Sequence, residues 1–342
     1  MGGGTWSAST YASTTGAKVR SGTTFGYSNA TKSKSTSSWK VHEDLDPKKT
    51  AGDTSPLAGQ VVRESRDSDD HPTSVPVAVF FDETGSMGHI PVVVQTKLAG
   101  LFGLLLRKGY LEDPQILVGA YGDTYCDYVP LQVSQFESDN RVDDALDKIF
   151  IEGNGGGNMG ESMDLAWYYL AHHTVTDAYE QRGKKGYAFF IGDEIAHGVT
   201  EADVKKHIAG PDTAIASDLS HKGIVKALTD KWDAYVLVID NHAARSQKSI
   251  EFYRNLFGER VLVVEDADSI AETIALTIGV LEGTVDLDAG VDDLKSIGAT
   301  DSVIKSASKA LAHIGAGSGS GAVAVADAPL DLSDDRSGNS RI

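Results

Sequence analysis

The sequence predicts an α/β fold: a doubly wound, mostly parallel sheet with helices on both faces, in three layers. Strand-length apolar runs alternate with helical stretches from Val75 to Leu281, the alternation that marks a parallel sheet covered by helices. The strand runs are continuously apolar, as in Val75 to Phe81, because a parallel strand is buried on both faces. Two of these runs drive straight into a carboxylate, Asp82 and Asp193. The carboxyl ends of the strands in an open α/β sheet are where ligands bind.

Taken in order, Val75–Phe81 is expected as the first central strand and Ile90–Lys108 as the helix after it. Ile116–Tyr121 follows as a strand, and Tyr125–Val133 as a short edge strand. Helices are expected at Val142–Ile149 and Glu161–His173, the latter from Met163, Ala166, Trp167 and Leu170 at helical spacing. Tyr187–Ile191, Tyr235–Ile239 and Val261–Val264 read as strands, separated by helices at Ala202–Ile208, Ile224–Trp232 and Ile250–Leu256. Ile270–Leu281 closes the domain as a helix. The chain thus divides into a Ser/Thr/Gly-rich arm (1–60), an α/β domain (61–285), a helical C-terminal segment (286–314) and a flexible acidic tail (315–342). Residues Arg63–Pro72 read as a charged lead-in to the first strand. The arm is mildly basic and carries Trp6, Tyr11, Phe25, Tyr27 and Trp39. It reads either as a disordered tail or as a segment folding on a partner or on its own body.

The chain has 342 residues, 41% of them hydrophobic, enough for a substantial core in one large or two modest domains. Its formal net charge is −18, which argues against a general nucleic-acid binder, because phosphate contacts need Lys and Arg. Cys126 is the one cysteine, so no intrachain disulfide forms and a reducing cytosol is the expected compartment. The first residues show no basic region followed by an apolar run, and a secretory signal is not expected. No membrane span is expected either: the longest candidate, around Leu98–Leu106, is interrupted by Gly100 and Gly103 and ends in Arg107-Lys108.

The most informative stretch is Val79-Phe-Phe-Asp82-Glu-Thr84-Gly-Ser86-Met-Gly88. A carboxylate and two hydroxyls at alternate positions, just past a buried strand, can face one hard cation. Magnesium suits such a set because it takes a few protein oxygens and keeps several waters. This segment resembles the Asp-x-Ser-x-Ser signature of the von Willebrand factor A domains, with Thr84 in place of the first serine. The resemblance spans about residues 73–283. It implies a divalent ion, Mg2+ or else Mn2+ or Ca2+, at the top of the sheet in a metal-ion-dependent adhesion site, where a protein partner donates an Asp or Glu to the metal.

The family pattern also places an aspartate at the end of the fourth strand, and Asp193 in Phe189-Phe-Ile-Gly-Asp193 matches it. Two such carboxylates repel unless a cation lies between them or one is protonated. The resemblance further expects a threonine after a Gly-Gly pair. Here the loop Gly153-Asn-Gly-Gly-Gly-Asn-Met-Gly-Glu161-Ser162 puts Gly157 on that threonine, so the hydroxyl is missing. Asn158, Glu161 or Ser162 can supply an oxygen instead. Equally, Asn158 suits an N-cap and Glu161 the first turn of a helix. The same loop contains Gly155-x-Gly157-x-x-Gly160, but a dinucleotide fingerprint needs a strong strand immediately before it, and none is expected.

Among the remaining candidates, Asp123 either lines the same face or serves a turn, and His197 is the one histidine expected near the ion, though a loop histidine more often lies at the surface; Cys126 reads as a plain half-buried thiol, His172-His173 as a helix end, and Arg182–Lys185 as a solvated basic turn. The expected function is a non-enzymatic protein-binding or assembly module, with self-assembly through the N-terminal arm as a further expectation. The alternatives are a structural component of a virion or filament with a vestigial metal site, and a metal-dependent phosphohydrolase or nucleotide-binding enzyme.

Overall fold

The computed structural model describes Ser7 and residues 26–153, 160–210, 214–240 and 243–315. In chain order its elements are α1 (Gly26–Lys32), β1 (Arg63–Ser65), β2 (Val75–Asp82), α2 (Ile90–Arg107), β3 (Pro114–Tyr121), β4 (Leu131–Val133), α3 (Arg141–Asp147), α4 (Met163–His172), β5 (Thr174–Thr176), α5 (Asp177–Arg182), β6 (Gly186–Gly192) and α6 (Glu201–Val204). There follow α7 (His221–Lys231), β7 (Trp232–Ile239), α8 (Ala243–Phe257), β8 (Val261–Val264), α9 (Ile270–Leu281), α10 (Leu287–Ser296) and α11 (Asp301–Gly315).

Six strands form one sheet in the order β4-β3-β2-β6-β7-β8. All neighbours are parallel except β4, which pairs antiparallel with β3 at the edge. The mostly parallel α/β architecture therefore holds. Strand alternation sends Val77, Val79 and Phe81 into one hydrophobic cluster with α2, α9 and α11. Ala78 and Phe80 enter a second cluster with α4, α7 and α8. This two-sided burial explains why β2 is apolar at every position before Asp82. Packing is tight enough that a Cβ on Gly119 of β3 would lie 2.3 Å from the Phe80 ring and 2.7 Å from the Gln132 carbonyl.

Several sequence expectations shift. Helix α4 begins at Met163, so Glu161 precedes the helix and pairs in a β-bridge with Ala196. Trp232 starts β7 instead of ending the helix before it. The expected edge strand shrinks to Leu131–Val133. Helix α2 has the length and apolar composition of a membrane-crossing helix, despite Gly100 and Gly103, but its Val94, Leu98, Leu101 and Leu105 lie in the sheet core. The 286–314 segment forms α10 and α11, which bury Leu294, Ala307, Ala310 and Leu311 against the same cluster.

The boundary at residue 60 is not a structural one. From Gly26 onward the arm packs on the body. Ser28 exchanges hydrogen bonds with both backbone groups of Ile151. Trp39 meets Tyr128 and Phe150 edge-on. The Leu45 carbonyl accepts from Val133 N–H of β4. The lead-in is structured too: β1 pairs parallel with β5 in a small second sheet. Arg63 is fully buried and donates to four carbonyls, those of Asp46, Lys49, Val133 and Ser134. The basic turn is not merely solvated, since Arg182 donates to Asp67 and to the Ser74 carbonyl, and Lys184 pairs with Glu282. The tail beyond residue 315 lies outside the described residues.

Candidate metal centre

The chain runs from β2 to β3 on one side and later enters β6 on the other. The region past the ends of β2 and β6 is therefore the topological switch point of the sheet, the position where α/β sheets hold ligands. Asp82 is the last residue of β2, and Asp193 directly follows β6. Both are fully buried.

Beyond Asp82 the backbone turns through Gly85–Met87. Asp82 Oδ1 accepts from Thr84 N at 2.7 Å and from Thr84 Oγ1 at 2.6 Å. Thr84 Oγ1 lies 3.2 Å from Ser86 Oγ, which donates to Asp193 Oδ1 at 3.0 Å. The four predicted residues Asp82, Thr84, Ser86 and Asp193 thus form one continuous arc of oxygens. Asp82 Oδ2 is buried without a hydrogen-bond partner. Leaving such an oxygen dry and unpaired is costly. Burial pushes the Asp82 carboxyl up to about 8, and the nearby Asp193 and Glu194 add to the rise against the Thr84 hydrogen bonds. An oxygen-only set of carboxylates and hydroxyls with one orphaned carboxylate oxygen is the chemistry that fits a hard divalent cation.

Glu161 reaches the same region. Its backbone is fixed by bonds to Ile195 and His197, its Oε2 is buried without a partner, and burial, then Asp82 and Asp123, push its carboxyl up to about 10. It lies ahead of the helix, so the first-turn dipole does not account for it. Ser162 is committed elsewhere, accepting from Thr124 N. Asn158 and Gly157 lie outside the described residues.

Other features weigh against a strong site. Arg245 of α8 places Nη1 3.0 Å from Asp193 Oδ2 and 3.0 Å from Glu194 Oε1, so a guanidinium already offsets part of the charge a metal would meet. Among the described residues no three His, Cys, Asp or Glu side chains form a ready metal cluster. Arg245 had no sequence signal, because 52 residues separate it from Asp193. The sequence reading also passed over Glu83, Asp127 and Glu152, which are gathered beside the centre. A carboxylate directly continuing a buried strand, as Glu83 does, was the available cue.

The neighbouring polar residues do not make a nucleophile. Ser162 Oγ and Asp123 Oδ1 approach the same nitrogen of His197, Nε2, at 3.3 and 2.9 Å. A serine relay needs them on opposite nitrogens. Cys126 donates its thiol to Asp123, and burial together with that carboxylate pushes it up to about 12. Residues 149–153, ahead of the Gly-rich loop, form no strand, which the dinucleotide fingerprint requires.

No protein-family model matches the sequence, and no curated protein matches it. Among solved structures, the chain is similar to the pilus adhesin SpaC from Lactobacillus rhamnosus GG in its open conformation, at 11% identity and a TM-score of 0.44, over 64% of this chain and 31% of that one. It is also similar to proximal thread matrix protein 1 from the mussel byssus, at 10% identity and a TM-score of 0.37, over 61% of this chain and 46% of that one. The chain therefore spans less than half the length of either.

Proposed function

We propose that this chain is a non-enzymatic binding module. In this reading it is a three-layer domain of the von Willebrand factor A type that captures a carboxylate of a protein partner on a divalent ion. The observation that carries the reading is the orphaned Asp82 Oδ2, buried at the switch point and linked through Thr84 and Ser86 to Asp193. Asp82, Thr84, Ser86 and Asp193 would hold the ion, with Glu161 in the place of the missing threonine. The ion, magnesium in first place, supplies a Lewis-acidic position open to an Asp or Glu. The protein's own groups fix the hydroxyls and keep water from the inner carboxylate. Among the described residues no base or nucleophile accompanies the set, and binding is the proposed activity. The single cysteine suits a reducing compartment.

Arg245 favours a second reading, a structural or assembly protein whose metal site has been taken over by a guanidinium. Thermal unfolding separates the two. Under the first reading, millimolar Mg2+ or Mn2+ raises the melting temperature of the wild type relative to EDTA and leaves Asp82→Ala unmoved. If neither protein responds to the ion, the structural reading takes its place.

A further inference from the structure

The residue that opens α3 does not do what its position invites. Asn140 is the N-cap residue of that helix, yet its side chain makes no capping bond, although asparagine is among the best residues for that task. Its amide serves the arm instead. Asn140 Oδ1 accepts from Ser7 N–H at 2.9 Å, and Asn140 Nδ2 donates to the Ser7 carbonyl at 3.2 Å. One amide thus meets both backbone groups of one residue, as a neighbouring strand would. Such a clamp holds a segment by its main chain and reads no side chain at the clamped position.

A cavity lies beside the clamp. Arg141, the next residue, lines a space of about 220 Å³ between α3, the stretch after β4 and residues 44–49 of the arm. That exceeds the roughly 150 Å³ that takes a benzene ring in an engineered protein cavity. Leu45 and Ala145 give it apolar wall, and Arg141 brings a guanidinium, a group that stacks on aromatic faces. Glu137 lines it too. Its Oε2 lies 2.9 Å from Arg141 Nη2 but receives no aligned hydrogen bond among the described residues. Arg141 and Asp144 are exposed, so the cavity can be entered from outside. An aromatic ring that carries an N–H donor suits the apolar wall, the guanidinium and the free acceptor together. The residue before Ser7 is Trp6, which lies outside the described residues, and indole is such a ring. Charge points the same way. Residues 1–42 hold five Lys and Arg and no Asp or Glu, whereas Glu137, Asp139, Asp143, Asp144 and Asp147 crowd the start of α3.

We propose that this flank of α3 is the seat of the chain's own N-terminal segment, clamped at Ser7 by Asn140, with the Trp6 indole in the cavity and its N–H on Glu137. The seat ties the arm down at a second place, ahead of the contacts that Ser28 of α1 makes with Ile151. It does not depend on an ion at Asp82.

Photo-crosslinking of the full chain with p-benzoylphenylalanine in place of Trp6 tests this, with circular dichroism to verify that each variant folds. Crosslinks are expected within one chain, to residues 44–49 or 134–148. Asn140→Ala loses both clamp bonds and should lower their yield at least about fivefold, the effect of a single hydrogen bond. Asn140→Asp keeps an oxygen for Ser7 N–H and the capacity to cap α3 but loses the donor, so it should lower the yield with the helix intact. Crosslinks that join labelled to unlabelled chains in an isotope-mixed sample overturn the proposal in favour of a second copy's segment. Crosslinks that are absent or fall elsewhere on the molecule overturn it outright, as does a yield that both Asn140 variants leave unchanged.

Discussion

Two buried charges in this molecule are handled in opposite ways. Arg63 lies beneath the arm with none of its side chain exposed, and carbonyl oxygens from the arm and from β4 and the residue after it meet its guanidinium. Asp82 and Glu83, at the end of β2, are equally buried, yet each leaves one oxygen without a partner. A charge whose hydrogen-bonding capacity is met by the fold serves the fold. In the proposed reading, the charge left short at the switch point is where the ion would be held.

The sharpest way to break this comparison is Arg63→Met. It takes a donor from four carbonyls, of which Asp46 keeps the Lys49 N–H, and should cost about 3–5 kcal/mol, with no dependence on divalent ions. A melting temperature that metal restores would put Arg63 on the wrong side of the comparison. Arg245→Ala should be milder. It leaves Asp193 without its guanidinium and should cost about 2 kcal/mol in EDTA, because the arginine is itself partly open to solvent. In magnesium the loss should be recovered and the ion bound more tightly than by the wild type. An Arg245→Ala chain indifferent to the ion would favour the structural reading.

pH supplies a smaller test. Carboxyls raised in the folded chain bind protons that the unfolded chain has released. Stability therefore falls as pH rises from the ordinary carboxylate range through about 6 for Asp127, about 7 for Glu152 and about 8 for Asp82. In EDTA the melting temperature should decline between about pH 5 and 8, and divalent cations should flatten that decline. A flat curve in EDTA would show that these carboxyls are not held dry. The smallest effect concerns Cys126. Though exposed, its thiol is raised by burial of the sulfur and by Asp123, so iodoacetamide should label it slowly at pH 8, and faster in Asp123→Asn.

The sheet was legible because its signal is local. A strand buried on both faces must be apolar throughout, and Val75–Asp82 and Gly186–Gly192 announce themselves that way. The placement of Asp82, Thr84, Ser86 and Asp193 was legible for the same reason, as polar residues where apolar strands stop. What the sequence hid is what depends on tertiary approach. Nothing near Arg245 marks its meeting with Asp193, and nothing in Ser28 or Leu45 marks their bonds to Ile151 and Val133. The arm stayed open between two readings because its Ser, Thr and Gly content resembles that of a chain unable to bury a core, while its aromatic residues fit a segment that packs on the body. Among its described residues, Leu45 is borrowed into the body's core.

The bond from Val133 N–H to the Leu45 carbonyl has a consequence for handling the molecule. β4 is the outer strand on its side of the sheet, and an uncovered outer strand is a template on which other chains can add. The arm occupies that template. A shortened chain starting at residue 61 would keep the whole six-stranded sheet but bare the rim that Leu45 now guards, and such a fragment should self-associate and precipitate where the intact chain stays dispersed.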